Sequence, residues 1–172
     1  MYNLTPEARE RMSDEERKPI YEKYIKYLEE HYPNWCVDNN CSKATIRETL
    51  EYYGLAFFED ELGVEEVTAL EDYQLLCKMK TGETKMFDMK PNLNRGMYQK
   101  LKDVDIFNKV FTEYGYIRWP GNIDVSFEWV LLHGVDAELT GWGNSMKIKT
   151  LTKLIMVTRT PIRSIFLILS KI

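Results

Sequence analysis

Tyr73-Gln-Leu-Leu-Cys-Lys-Met-Lys80, Thr81-Gly82 and Glu83-Thr-Lys-Met-Phe-Asp-Met89 read as two extended runs about a tight turn. Tyr73, Leu75, Cys77 and Met79 alternate with their neighbours, and Phe87 and Met89 do so on the return. That is the period of a half-buried hairpin. Gly82 offers the positive φ that a two-residue connection requires. Past Pro91 to Gly96 comes a short helical-looking segment, Lys102 to Val110. A second extended pair, Val110-Phe-Thr and Tyr116-Ile-Arg-Trp, flanks Glu113-Tyr-Gly115, and Trp119-Pro-Gly-Asn-Ile-Asp124 closes the unit. Pro120-Gly121 suits the centre of a type II turn. The whole unit spans Val64 to Val130.

The order of motifs in it is specific: the hairpin with its Gly turn, Phe87-Asp88-Met89-Lys90-Pro91, Leu101-Lys-Asp103, Phe107-Asn108, Trp119-Pro120 and Ile123-Asp124. This resembles the small bacterial family catalogued as domain of unknown function 2442, over roughly two-fifths of the chain. Gly121-Asn122 stands where the family more usually has Asn-Gly, which leaves the turn intact. The resemblance implies a small antiparallel module and no established catalytic residues. It also implies a setting near toxin–antitoxin genes or on mobile elements, where some members carry a helix-turn-helix. Regulation or binding is the expectation that follows.

With 172 residues the chain can form one full core, or a small domain with a helical extension. Four Trp, eleven Tyr and seven Phe supply core material. The net charge of −4 hides a split: 17 Lys/Arg face 27 Asp/Glu from Met1 to Glu138, while Leu139 to Ile172 holds six basic residues and no acid. An acidic body repels phosphates and disfavours general nucleic-acid affinity. It equally suits a surface that imitates nucleic acid in another protein's basic groove. No apolar run follows a basic start, so no signal peptide is expected. Three unevenly spaced cysteines fit a reducing cytoplasm, the expected location.

The expected organisation is an acidic helical region over residues 1–58, the α+β module over 64–135 and a basic apolar tail over 136–172. Thr5-Pro6-Glu7 reads as a helix start, and Ser13-Asp-Glu-Glu16 as a capping box. Pro19 predicts a kink or a restart. Ile20, Tyr24, Tyr27, Leu28 and His31 recur at helical spacing until Pro33. Asn34 to Cys41 reads as a loop. Ser42 then caps a helix to Tyr53, with Ile46, Leu50 and Tyr53 on one face and Gly54 at its end. Leu55-Ala-Phe-Phe58 next to Glu59-Asp-Glu61 is either a docking segment for the helices or part of a partner surface. In the tail, Lys153, Arg159 and Arg163 interrupt Leu151 to Leu169, so no transmembrane helix is expected.

Catalytic patterns are missing. The two histidines lie in no nucleophile motif, and Gly141-Trp-Gly143 lacks the Lys-Ser/Thr of a phosphate loop. Asp88, Asp103, Asp105 and Asp124 stand where caps and turns need carboxylates. His31, Cys36 and Cys41, each five residues apart, come nearest to a metal set. They lack the two-to-four spacing of a zinc pair, and a fourth ligand would have to come from Cys77 or His133. Tyr98, Tyr114, Tyr116 and Trp119 invite a base-stacking reading, but only Arg95 and Arg118 are near them. An aromatic core for a small sheet explains them better, with any exposed Trp or Tyr as a protein-contact anchor.

The expectation is therefore an α+β fold: an N-terminal helical region, then a small antiparallel-hairpin α+β module. The expected function is a non-catalytic bacterial or phage protein, without cofactor, that binds and inhibits a partner protein. It could act as an anti-CRISPR-type inhibitor with an acidic, nucleic-acid-mimicking surface, or as an antitoxin covering a toxin. Glu15, Glu16, Glu29, Glu30, Glu59, Asp60, Glu61 and Trp119 are the expected contact residues. The alternative is a DNA-binding transcriptional regulator using a helix-turn-helix-like N-terminal region, with Lys43 and Arg47 on its second helix.

Overall fold

A computed structural model gives the structure of the protein and describes residues 12–137. The helix start at Thr5-Pro6 and the basic apolar tail lie outside the described residues. By contacts the chain divides into two units, Met1–Val135 and Asp136–Ile172. The architecture of the first is α+β: helices, then antiparallel sheets.

Helix α1, Asp14–His31, starts on the expected capping box: Glu16 N–H donates to Ser13 Oγ at 3.3 Å, and Ser13 N–H to Glu16 Oε2 at 2.7 Å. The Ser13 backbone N–H, and then the Ser13 hydroxyl donating to Glu16 Oε2 at 2.9 Å, hold the Glu16 carboxyl below its ordinary range. Pro19 does not restart the helix. It is solvent-exposed, and as the sixth helical residue it has no N–H to donate to the carbonyl of Glu15 four residues back. Tyr24, Ile25 and Leu28 form the buried stripe, while His31, expected on it, is exposed.

The Asn34–Cys41 stretch contains a one-turn helix, α2 (Trp35–Asp38), because Trp35 is drawn into the core. Helix α3, Ile46–Tyr53, begins later than expected: Thr45, not Ser42, accepts from Glu48 N–H at 3.1 Å. Gly54 ends it at φ +82°. A 3₁₀ turn at Leu55–Phe58 leads into α4, Glu59–Leu62.

The first sheet places β1 (Val64–Ala69), β2 (Gln74–Met79), β3 (Thr84–Asp88) and β7 (Val135–Asp136) in that order, with Leu75 opposite Phe87 and Val67 opposite Cys77. Leu75, Cys77 and Met79 are fully buried, as their alternation requires. The hairpin turn is longer than two residues. Gly82 N–H bonds Met79 O and Met79 N–H bonds Glu83 O, both at 2.9 Å, with Gly82 at φ +88°. This is the longer hairpin loop that ends on a left-handed Gly.

A 3₁₀ segment, Gly96–Lys102, and α5, Val104–Phe107, lead to the second sheet: β4 (Phe111–Glu113), β5 (Tyr116–Trp119) and β6 (Ile123–Val125), in sequence order. Tyr114 and Gly115 turn β4 into β5 at φ +50° and +76°, the two positive values of a type I′ turn. Gly121, at φ +89°, takes the type II position expected of it. Helix α6, Phe127–His133, is capped by Ser126 and closes the core.

The helical region and the module share that core: Leu28, Leu50 and Phe58 belong to one buried cluster with Leu75, Phe107 and Phe127. Polar ties reinforce it. Glu83, beside the hairpin turn, accepts from Tyr24 Oη and Lys23 Nζ, each at 2.5 Å. Tyr21 Oη donates to buried Glu128 of α6 at 3.2 Å. Burial, and then the nearby Glu128 charge, push the Tyr21 hydroxyl up to about 12.

The two sheets meet where Val64 N–H donates to Gly115 O at 2.9 Å. A Cβ on Gly63 would fall 2.5 Å from Glu59 O and 2.7 Å from Gly115 Cα, both backbone atoms. Gly63→Ala is therefore predicted to cost about 1–3 kcal/mol, the usual cost of overpacking. Gly54→Ala, with nothing within 4 Å of its Cβ, meets only the strain of its positive φ. Urea unfolding checks both: each variant should lower the midpoint, Gly63→Ala through backbone overlap and Gly54→Ala through strain at φ +82°, ψ 176°.

Candidate partner-binding face

Four aromatic residues fall within seven positions, Tyr52-Tyr53 and Phe57-Phe58, more than one helix face can bury. The chain resolves this by sorting them. Phe58 goes inward with Leu55, while Tyr52 (69% exposed), Tyr53 (42%) and Phe57 (45%) stay at the surface. The surface rings touch. Tyr53 stacks on Phe57 at 4.5 Å between centroids, Tyr52 meets Tyr53 at 4.7 Å, and Phe57 sits edge-on to buried Trp35 at 5.7 Å.

Polar side chains frame the group. Lys43 Nζ lies 3.8 Å from the centre of the Tyr52 ring. Ser42 Oγ is 3.1 Å from Tyr53 Oη, so the serine expected as a cap holds a ring of the face instead. Trp35 Nε1 donates to Glu61 Oε1 at 2.6 Å. Glu48 and Glu51, exposed on α3, line a shallow depression with Ser42, Lys43 and Tyr52. A partly exposed aromatic surface edged by acids is suited to a partner with apolar pockets in a basic surround.

The expected contact residues are placed unequally. Glu16 is committed to the cap of α1, and Glu30 lies 3.8 Å from Lys26. Glu15 and Glu29 are exposed, but fourteen residues of helix separate them by about 21 Å. Half-buried Glu61 borders the aromatic face through Trp35, and Asp60 is 3.8 Å from Lys80. The side chain of Glu59 is half-buried, and its carbonyl accepts from Gly63 N–H at 3.1 Å. The seven acids therefore fall in three places: the start of α1, its end, and α4.

Trp119 is no surface anchor. It is 2% exposed, stacks on Phe107 and donates its Nε1–H to Phe107 O at 2.8 Å. Its position on β5 faces the core, and its one polar atom finds a backbone partner there. Tyr116 is likewise buried, and Tyr98 donates to Asp124 O at 2.9 Å, so the suggested stacking platform is mostly interior. Tyr114 alone of that set is widely exposed, on the β4–β5 turn.

His31 does not join the cysteines. Its ring stacks on Tyr27 with centroids 4.2 Å apart, and its Nδ1 is 2.9 Å from Tyr27 O. Among the described residues no group of three or more His, Cys, Asp or Glu side chains is placed to hold a metal ion. Asp88 accepts from Lys90 N–H and Asp103 from Asp105 N–H, both at 2.9 Å, the turn and cap roles expected of them. No described helix is long and apolar enough to cross a membrane.

This sorting predicts unequal costs of truncation. Trp119→Ala should cost about 3–5 kcal/mol, as large aromatic deletions in cores do. Tyr52→Ala and Phe57→Ala should each cost well under half of that, because much of each ring already meets water. Denaturant unfolding followed by circular dichroism checks both.

No curated protein and no solved structure matches the chain. A known family does match its two-sheet module: residues 64–137 fit the family described as protein of unknown function (DUF2442).

Proposed function

We propose that this protein is a non-catalytic binding protein, acting in the cytoplasm, that occupies and inhibits a partner protein through the Tyr52–Tyr53–Phe57 face and its acidic border. The observation that carries this reading is the contact among three partly exposed rings beside Glu48, Glu51 and Glu61. Exposed Tyr and Phe in a cluster are the usual anchors of protein interfaces. Acids around them favour a cationic partner and speed its approach. An anti-CRISPR-type inhibitor imitating nucleic acid and an antitoxin covering a toxin both take this form. The acidic excess of the body supports the first, since a basic groove would receive it.

Direct DNA reading is less well supported. Arg47, the chief base-reading candidate on α3, is held bidentately by Glu22 at 2.8 and 2.9 Å. Lys43 is spread over the Tyr52 ring, and Glu48 and Glu51 stand exposed on the same helix. The pairing occupies Arg47, and the exposed acids repel phosphates.

Capture from a bacterial lysate, followed by affinity measurement on the identified protein, tests the proposal. Tyr52→Ala/Phe57→Ala should weaken binding at least tenfold, and Glu48→Lys/Glu51→Lys should reduce its salt dependence. Binding untouched by both pairs would overturn the assignment of the face. Specific retardation of duplex DNA, lost on Arg47→Ala, would favour the regulator instead.

A further inference from the structure

Cys36 and Cys41 are brought together by the way α2 ends. Asn40 takes φ +48°, Asn40 N–H donates to Val37 O at 3.1 Å, and Cys41 N–H donates to Cys36 O at 2.8 Å. These are the two bonds of a Schellman motif, whose third-from-last helical residue and second residue beyond the cap lie against one another. Here those two positions are both cysteine. Their sulfurs converge on a single atom, Thr49 Oγ1, at 3.7 Å from Cys36 and 3.4 Å from Cys41. The Cys36 thiol also lies within hydrogen-bonding reach of the Cys41 sulfur, the proximity a disulfide needs. Both side chains are half-buried, within reach of a small reagent.

We propose that Cys36 and Cys41 are a redox modification site, a dithiol that a small-molecule disulfide converts reversibly into an intramolecular bridge. The inference is independent of the partner-binding reading. The Cys41 thiolate attacks one sulfur of the external disulfide, forming a mixed disulfide and releasing one thiolate. Cys36, after losing its proton, attacks Cys41 Sγ and displaces the second thiolate. The pair gives up two electrons and two protons, and the external disulfide becomes two thiols.

The surroundings fit Cys41 as the attacking group. Its thiol is held below the ordinary value, first by the Thr49 hydroxyl and then by Lys43 N–H, 3.5 Å from the sulfur. The Thr49 proton serves Thr45 O at 2.8 Å and can turn to the sulfur once it is charged. Cys77 is the internal contrast: it is fully buried in β2, and burial pushes its thiol up to about 12. The bridge would close a loop between Trp35, which bears the Glu61 bond, and Ser42, which bonds Tyr53.

Incubating the full chain in glutathione buffers of graded oxidation, quenching with acid, alkylating and mapping peptides tests this. In the oxidised buffers two thiols should disappear together, with Cys36 linked to Cys41, and dithiothreitol should restore both. Cys36→Ser should trap one glutathione on Cys41, and Cys77 should alkylate at least tenfold more slowly than Cys41. Wild-type protein that keeps both thiols free, or accumulates glutathione adducts or intermolecular dimers without the internal bridge, would overturn the proposal.

Discussion

The close approach of Gly63 to Gly115 sets the rest of the molecule. Two backbones come within the reach of a missing side chain there, and the Val64 N–H bond to Gly115 O welds one sheet to the turn of the other. Gly115 must also hold φ +76° for the type I′ turn. Glu59 O sits at the same point, so α4 and the 3₁₀ turn before it are anchored to this junction. Phe58 can then bury while Phe57 cannot, and the aromatic face follows from that choice.

That face shows how a small fold handles surplus aromatic area. Ring stacking and the Lys43 contact stabilise Tyr52, Tyr53 and Phe57 only in part, since water still reaches each ring. A partner that covers them gains the remaining apolar burial. The acids nearby differ in availability. Glu22 is engaged with Arg47, Glu61 with Trp35 and Glu48 with Ala44 N–H at 3.1 Å, while Glu51 lines the open depression beside Tyr52.

The module was legible in the sequence because its signals are local. Alternation marked β2, and Gly and Pro marked the turns at Gly82, Gly115 and Gly121. The fit of residues 64–137 to the family agrees with the resemblance read from the motifs. Strand β1 escaped because Glu65 and Glu66 interrupt its pattern across a bulge. Helix α6 escaped because Phe127–His133 is almost wholly buried, which removes the polar stripe that betrays a surface helix. The double use of Leu55 to Phe58, part docking and part surface, was open from the residues and is divided by burial. Trp119 misled because a tryptophan with a satisfied indole N–H is indistinguishable in sequence from an exposed one. Cys36 and Cys41 suggested a ligand set by type, while their spacing of five encoded a helix ending.

Hydrogen–deuterium exchange on the purified chain, alone and bound to its captured partner, tests the central claim most directly. Slowed exchange should concentrate in residues 42–62, across α3, the 3₁₀ turn and α4. Protection confined to the β4–β6 sheet or to the first turns of α1, with residues 42–62 unchanged, would contradict it.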